Sequence, residues 1–229
     1  MPIMPDIPQV EAAIVAQTNA FRATAKQQAV KAAPSLTKAA RDYARFLAAA
    51  PIFSHEADGQ RPVDRIKAAG YAPCATAENL AWRSDPRGFE TLALATQMVE
   101  GWKSSPGHRK NLLMEHATET GVAIVKASRE EKYFAVQLFA RPSTLSFTFE
   151  VVNAASKPLT YAVGGREARI EPRIVRQHTE CEPASLTFQL APAGLVSKPV
   201  TVRHEAKPGH VYRLVADKAG KVTVEARPK

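Results

Sequence analysis

Three short segments in the first half of the chain carry side chains able to ligate a metal or move a proton. They are Phe53-Ser54-His55, Ala77-Glu78-Asn79-Leu80-Ala81-Trp82, and Gly101-Trp102-Lys103-Ser104-Ser105-Pro106-Gly107-His108, the last running on through Arg109-Lys110-Asn111-Leu112-Leu113. Two imidazoles and a carboxylate can hold a divalent cation, or work as acid and base, only if the fold gathers them. His55 ends a helical stretch ahead of the loop Glu56-Ala57-Asp58-Gly59, where a lone histidine is ordinarily a surface residue. Glu78 stands in an apolar run. Leaving a carboxylate unpaired among buried groups costs on the order of several kcal/mol, so it needs a partner, either an arginine, with Arg22 a candidate, or a histidine. Ser105 reads as a helix N-cap and Pro106 as the first helical residue, which puts His108 in the first turn. The positive end of the helix dipole disfavours an imidazolium there, and a neutral imidazole is the form that binds metal or accepts a proton. The plainer alternative packs the His108 ring against Trp102.

A serine hydrolase is a weak reading of the same residues. Ser104 or Ser105 could pair with His108 and Glu78, but no Gly-x-Ser-x-Gly elbow is present, and Ser105 is already accounted for as a cap. Cys74 stands in no recognisable nucleophile motif.

In this order, the three segments resemble the CAP superfamily (SCP-like; cysteine-rich secretory, antigen 5 and pathogenesis-related proteins), and most closely its bacterial branch. Asn19-Ala20-Phe21-Arg22, Ala40-Arg41-Asp42-Tyr43-Ala44, Arg65-Ile66-Lys67-Ala68-Ala69-Gly70-Tyr71, Gly121-Val122-Ala123 and Gln137-Leu138-Phe139 extend the resemblance over about residues 8–142. It implies an α-β-α sandwich, export from the cytoplasm, and a cleft in which His55, Glu78 and His108 meet. Many eukaryotic members carry a second cleft glutamate three residues after the tryptophan. Ser105 holds that position here, and Glu100, on the other side of Trp102, is not its equivalent. Two histidines need further oxygen or water ligands to complete a zinc shell. The implied site on His55 and His108 is therefore a weak, exchangeable zinc site, with Mg²⁺ and Ca²⁺ poorer fits. Glu78 and Ser105 are cleft residues, and Glu78 is the one candidate for a catalytic role.

The elements that must position these groups follow from periodicity and punctuation. Val10, Ile14, Phe21, then Leu36, Tyr43 and Leu47 recur at helical spacing over residues 7–50, giving two amphipathic helices divided at Pro34-Ser35, with Ser35 a candidate cap. Pro62 to Ala69 is a short helix closed by Gly70. Asp85-Pro86 opens a helix whose apolar face is Leu92, Ala95, Val99 and Trp102, and Ser105-Pro106 opens another. Gly121–Ala127 and Lys132–Ala140 form a hairpin. After Arg141-Pro142-Ser143 the pattern changes to about seven short strands, at Leu145–Val152, Leu159–Val163, Arg173–His178, Ser185–Leu190, Val200–His204, His210–Ala216 and Lys221–Ala226. Turn signals separate them, including Gly164-Gly165 and Pro192 to Gly194. The expected class is α+β: a CAP domain over residues 1–142, then a smaller all-β sandwich over 143–229, with the immunoglobulin fold as one form it could take. His204 and His210 flank a turn there and read as surface residues.

The chain of 229 residues has a formal charge of +9, with 18 basic against 14 acidic groups in residues 1–142 and 13 against 8 in residues 143–229. No dense basic run or nucleic-acid motif appears, so nucleic acid is not an expected partner. The charge suits anionic polymers or lipid headgroups, or is simply a solvated basic surface. No stretch is long and apolar enough for a transmembrane span. Cys74 and Cys181 are too few for a disulfide framework. Two free thiols are the favoured reading, and one bridge is the alternative in an oxidising compartment. Met1-Pro2-Ile3-Met4-Pro5-Asp6 shows no signal peptide, so the secreted or periplasmic location implied by the resemblance requires a trimmed form. The expected function is recognition of an envelope or extracellular ligand (lipid, glycan or peptide) in the cleft. The competing readings are a metal-dependent hydrolase of peptide or cell-wall bonds, and a structural adaptor acting through the β-rich region.

Overall fold

Proline in the first turn opens four of the five helices in the first half of the chain. The computed structural model describes residues 1–190 and 200–229. Helix α1 (Ile7–Thr24) is capped by the Asp6 carboxylate, which accepts from the Gln9 N–H at 3.2 Å, and it buries Val10, Ile14, Thr18 and Arg22 at four-residue spacing. Strand β1 (Lys31–Ala32) leads into α2 (Pro34–Ala49). Pro34 is its first residue and Ala33 its N-cap, so Ser35 lies inside the first turn and does not cap the helix. Helix α3 (Pro62–Ala68) ends at Gly70, whose φ of +84° permits the left-handed closure. Gly70 N donates to Lys67 O and Tyr71 N to Ile66 O, satisfying two carbonyls the helix would otherwise strand.

Strand β2 (Pro73–Ser84) follows. Helix α4 (Thr91–Ser104) begins later than Asp85-Pro86 suggested. The Asp85 carboxylate instead captures the Arg87 N–H at 2.9 Å, and Gly88 N closes onto Asp85 O, so the Asp-Pro signal marks an Asx turn. Helix α5 (Pro106–Leu112), β3 (Glu119–Lys126) and β4 (Lys132–Pro142) complete this half.

The four strands form one sheet in the order β1-β3-β4-β2, with β3–β4 and β4–β2 antiparallel and β1 parallel to β3. The strand period of two sorts the side chains into two apolar layers. Val122, Ile124, Ala135 and Phe139 pack with α1, α4 and Trp102 on one face. Leu80, Ala123, Val136 and Leu138 pack with α2 and Ile66 of α3 on the other. This α-β-α arrangement leaves β2 at an edge.

Where α2 crosses β3, a methyl group on Gly121 would stand 2.2 Å from the Leu36 carbonyl carbon and 2.4 Å from Thr37 N, both backbone atoms. Gly121→Ala is therefore expected to lift α2 from the sheet and cost about 3 kcal/mol or more. A urea midpoint unchanged from wild type would show that the helix can shift at no cost.

Contacts divide the chain into two compact units, Met1–Thr144 and Leu145–Lys229. The second is all-β. Its strands are β5 (Phe147–Asn153), β6 (Leu159–Val163), β7 (Arg166–Ile170), β8 (Val175–Glu180), β9 (Ser185–Leu190), β10 (Val200–Glu205), β11 (His210–Ala216) and β12 (Val222–Pro228). They form two four-stranded sheets, β10-β9-β6-β7 and β12-β11-β5-β8. Phe149, Val151, Tyr212 and Leu214 of one sheet share a core with Tyr161, Leu186 and Phe188 of the other. The strand order differs from the immunoglobulin one, because the first strand here sits beside the fourth and the seventh.

Strand β7 was not expected. It is charged (Arg166-Glu167-Ala168-Arg169-Ile170) and occupies a sheet edge, so only Ile170 is buried. Gly164 and Gly165, at φ +54° and +80°, make the tight turn that folds it onto β6. His204 is not a surface residue either. Its ring is half-buried against Phe188 and Tyr212, and its Nε2 is buried without a hydrogen-bond partner among the described residues. The turn read at Pro192 to Gly194 lies outside the described residues.

Cys74 and Cys181 are both disulfide-bonded, which corrects the expectation of free thiols. Two cysteines carry no framework pattern, and bond formation depends on spatial approach, which spacing in sequence does not reveal. Among the described residues, no helix is long and apolar enough to cross a membrane.

Candidate functional site

Strand β2 passes Glu78 to the α2/α3 face of the sheet and Asn79 to the opposite face, and as an edge strand it lets groups from both helical layers meet around it. The Glu78 side chain is only 2% exposed. Its Oε1 accepts from His55 Nδ1 at 2.8 Å and its Oε2 from Arg65 Nη2 at 2.9 Å. A carboxylate only accepts, so His55 must carry its proton on Nδ1.

Arg65, on α3, is the basic partner, and Arg22 is not. The Arg65 guanidinium also donates to Asp58 Oδ1 (2.9 Å), Gln60 O (2.7 Å) and His55 O (2.9 Å), and lies 3.4 Å from the Tyr43 ring centroid. The Tyr43 hydroxyl donates to Ser54 O and accepts from Ala57 N. These bonds hold the loop that carries His55. Arg22 is fully buried elsewhere, donating to the carbonyls of Gln28, Leu112, Met114 and Ala117.

Helix α5 brings His108 to the other side of β2. Asn79 Nδ2 donates to His108 O at 3.1 Å, and Asn111 Nδ2 donates to Asn79 Oδ1 at 2.9 Å and Glu78 O at 3.0 Å. Two asparagines thus hang the His108 helix on the Glu78 strand. Both lie inside the motifs quoted above, next to Glu78 and within the Asn-Leu-Leu run, but an amide's partner cannot be read from spacing. Ser105 occupies the N-cap position of α5, yet its hydroxyl makes no capping bond. The first bond of the helix runs from Arg109 N to the Ser105 carbonyl. The Ser104 hydroxyl is turned to Glu100 O at 2.8 Å.

The two histidines titrate in opposite directions. The Glu78 hydrogen bond raises His55 above the ordinary imidazole range, against the opposing effect of burial. Burial lowers His108, and the positive charge of His55 adds to the lowering. Neutral His108 was expected from the helix dipole, but desolvation and His55 are the causes here.

Because the folded His55 is raised, its stabilising contribution is complete below the unfolded pKa of ~6.5 and is lost as pH rises through the folded value. His108 has the reverse sign, its contribution being complete above ~6.5 and lost as pH falls through its folded value. Imidazole NMR titration should place His55 above His108, and Glu78→Gln should bring His55 down. Equal midpoints, or a His55 indifferent to Glu78→Gln, would contradict this arrangement.

Ser105 and His108 line an open cavity of about 480 Å³ together with Phe53, Leu80, Trp82, Arg83 and Trp102. His55 and Glu78 stand outside that lining. Three carbonyls along β2 are covered by side-chain donors. Glu78 O accepts from Asn111, Leu80 O from Trp102 Nε1 (3.0 Å) and Trp82 O from Arg83 Nη1 (2.8 Å). This guards the sheet edge against adding a foreign strand.

The donor set does not fit a firm metal centre. Glu78 spends both oxygens on His55 and Arg65, so two imidazoles are all that remains. Among the described residues, no group of three or more His, Cys, Asp or Glu could hold a metal ion.

The sequence matches the model of the CAP family, described as the cysteine-rich secretory protein family, over residues 15–139. The chain belongs to the CAP family. The CAP domain is similar in fold to an outer surface protein from Borrelia burgdorferi, with a TM-score of 0.53 and 20% identity over 62% of this chain and 99% of that one. An extracellular protein containing an SCP domain from Bacillus anthracis is 24% identical, with a TM-score of 0.48, over 62% of this chain and 45% of that one. This chain therefore spans less than half the length of that protein. NaASP2, in a crystal structure with Zn²⁺, is 14% identical, with a TM-score of 0.44, over 57% of this chain and 78% of that one. No curated protein matches the sequence.

Proposed function

We propose that this CAP protein is exported and binds a ligand of the cell envelope or extracellular space in the cleft lined by Ser105 and His108, beside the His55–Glu78 pair, without turning it over. The observation that carries this reading is the commitment of Glu78. Both of its oxygens are engaged and it is buried, so it orients and charges His55 and is not available as a general base to a reacting group. Export is supported by membership of the cysteine-rich secretory protein family and by disulfide-bonded cysteines, which persist in oxidising compartments. Any zinc rests on the two imidazoles and water. It should bind orders of magnitude more weakly than at a four-ligand structural site, and His55→Ala with His108→Ala should abolish it.

The test compares wild type with Glu78→Gln and with Ser105→Trp, which fills the cavity. Small molecules co-purifying with wild type should be absent from Ser105→Trp by mass spectrometry. Neither wild type nor Glu78→Gln should hydrolyse peptide, ester or cell-wall substrates. Hydrolysis by wild type that disappears in folded Glu78→Gln would overturn this reading in favour of the metal-dependent hydrolase. Calorimetric zinc uptake unchanged in the double histidine variant would move the metal elsewhere.

A further inference from the structure

The cavity beside His108 has a charge pattern that names a ligand class. Its lining contains no carboxylate. It does contain Arg83, whose guanidinium is held by two neutral carbonyls, Trp82 O at 2.8 Å and Gln97 O at 2.7 Å. Arg83 can lie against α4 because residue 101 is glycine: a methyl group there would sit 2.2 Å from Arg83 Nη2. A second cation, Lys132 Nζ, stands 4.4 Å from the centre of the Trp82 ring system. Among the described residues neither Arg83 nor Lys132 makes an ion pair, while Arg87, Lys103 and Lys126 nearby in the chain all do. One guanidinium without an ion pair in a lining that holds no acid, with a second cation outside that lining on the Trp82 ring, favours an anion.

The rest of the lining describes the body that carries the anion. Trp82 is 44% exposed, a large flat apolar surface that a folded domain would otherwise cover. Around it stand small hydroxyls and one imidazole: Ser84, Ser105 and His108. The cavity is open to solvent and is not a closed channel, so it does not enclose a long acyl chain. A pyranose ring matches it, with an apolar C–H face to lay on an indole, hydroxyls at its rim for Ser105 and His108, and, in a sugar acid, a carboxylate for Arg83. Guanidinium binds carboxylate through paired N–H groups, which gives orientation as well as attraction.

Resting on the cleft-binding reading above, we infer that this cavity binds an acidic saccharide, its ring on Trp82 and its carboxylate on Arg83.

Both tryptophans of the chain, Trp82 and Trp102, line the cavity, so intrinsic fluorescence reports its occupancy directly. The probes are trigalacturonic acid, its neutral methyl ester, and laurate. The acid should bind saturably and the ester about tenfold more weakly or worse, since a hydrogen bond to a charged group is lost. Arg83→Gln should remove most of the difference between acid and ester, with an unchanged circular dichroism spectrum. Lys132→Gln, which leaves the carbonyl contacts of Arg83 alone, should narrow the gap in part.

Equal binding of acid and ester by wild type sinks this inference and leaves the cleft-binding reading standing. Acid binding that persists in Trp82→Ala and Ser105→Trp, followed by calorimetry, places the ligand elsewhere and sinks both. Binding of laurate without the saccharide, or no saturable binding of either, also overturns the assignment.

Discussion

Arg65→Met is expected to cost the CAP domain about 3–5 kcal/mol, because it removes one partner from a buried ion pair and leaves the other uncompensated. The side chains of Arg65 and Glu78 are 8% and 2% exposed, so water cannot replace the lost guanidinium. The loss is wider than one pair. Asp58, Gln60 O and His55 O lose the same donor, and the Tyr43 ring loses the cation stacked on it. The loop from Ser54 to Gln60 should therefore loosen, carrying His55 away from Glu78. Arg65→Met combined with Glu78→Gln should recover part of the stability, since the stranded charge is then gone. Urea denaturation of the two single variants and the double variant reads this coupling. Additive losses would mean that Arg65 acts by packing alone.

Arg22→Met is expected to be at least as severe, at about 4 kcal/mol or more, because each buried carbonyl left without a donor costs roughly 1–3 kcal/mol. Arg22 is 0% exposed, and its guanidinium reaches Gln28 O, Leu112 O, Met114 O and Ala117 O, with no carboxylate among its partners. Burial lowers its pKa, yet a guanidinium stays charged. The carbonyls follow the C-terminal ends of α1 and α5, where the helix dipole welcomes a cation. The contact ties α5, and so His108, to α1. Arg22→Lys should rescue little, because one ammonium cannot fan out to four carbonyls the way a planar fork does. If Arg22→Lys melts with wild type, the geometry of the fork is irrelevant and charge alone suffices.

These two arginines mark what was legible in the sequence and what was not. The CAP motifs, the amphipathic helices and the β3–β4 hairpin follow from local rules: apolar spacing, Pro in first turns and Gly70 beyond a helix end. His55, Glu78 and His108 stood out because an acid or imidazole in apolar company demands explanation. That Glu78 needs a charged partner was also readable, since the desolvation cost depends only on its being buried.

The identity of that partner was not. Arg22 and Arg65 lie equally within reach of the motif pattern, and only the sheet decides between them. Strand alternation sends Glu78 to the face that carries α3 and Arg65, while Arg22 on α1 belongs to the other face. The cap read at Ser105 failed for a related reason. Ser105 takes the N-cap position, but its hydroxyl makes no capping bond, and the direction of a hydroxyl is not fixed by spacing along the chain. The disulfide-bonded state of Cys74 and Cys181 depends on distance in space, and the charged edge strand β7 is held by Gly164-Gly165 and by β6, with little apolar pattern of its own. What the sequence by itself determined is the family, the local elements and the groups that must find partners. The tertiary structure decided which partners they find, because pairing across a sheet follows strand order and facing, and neither is written in the spacing of residues along the chain.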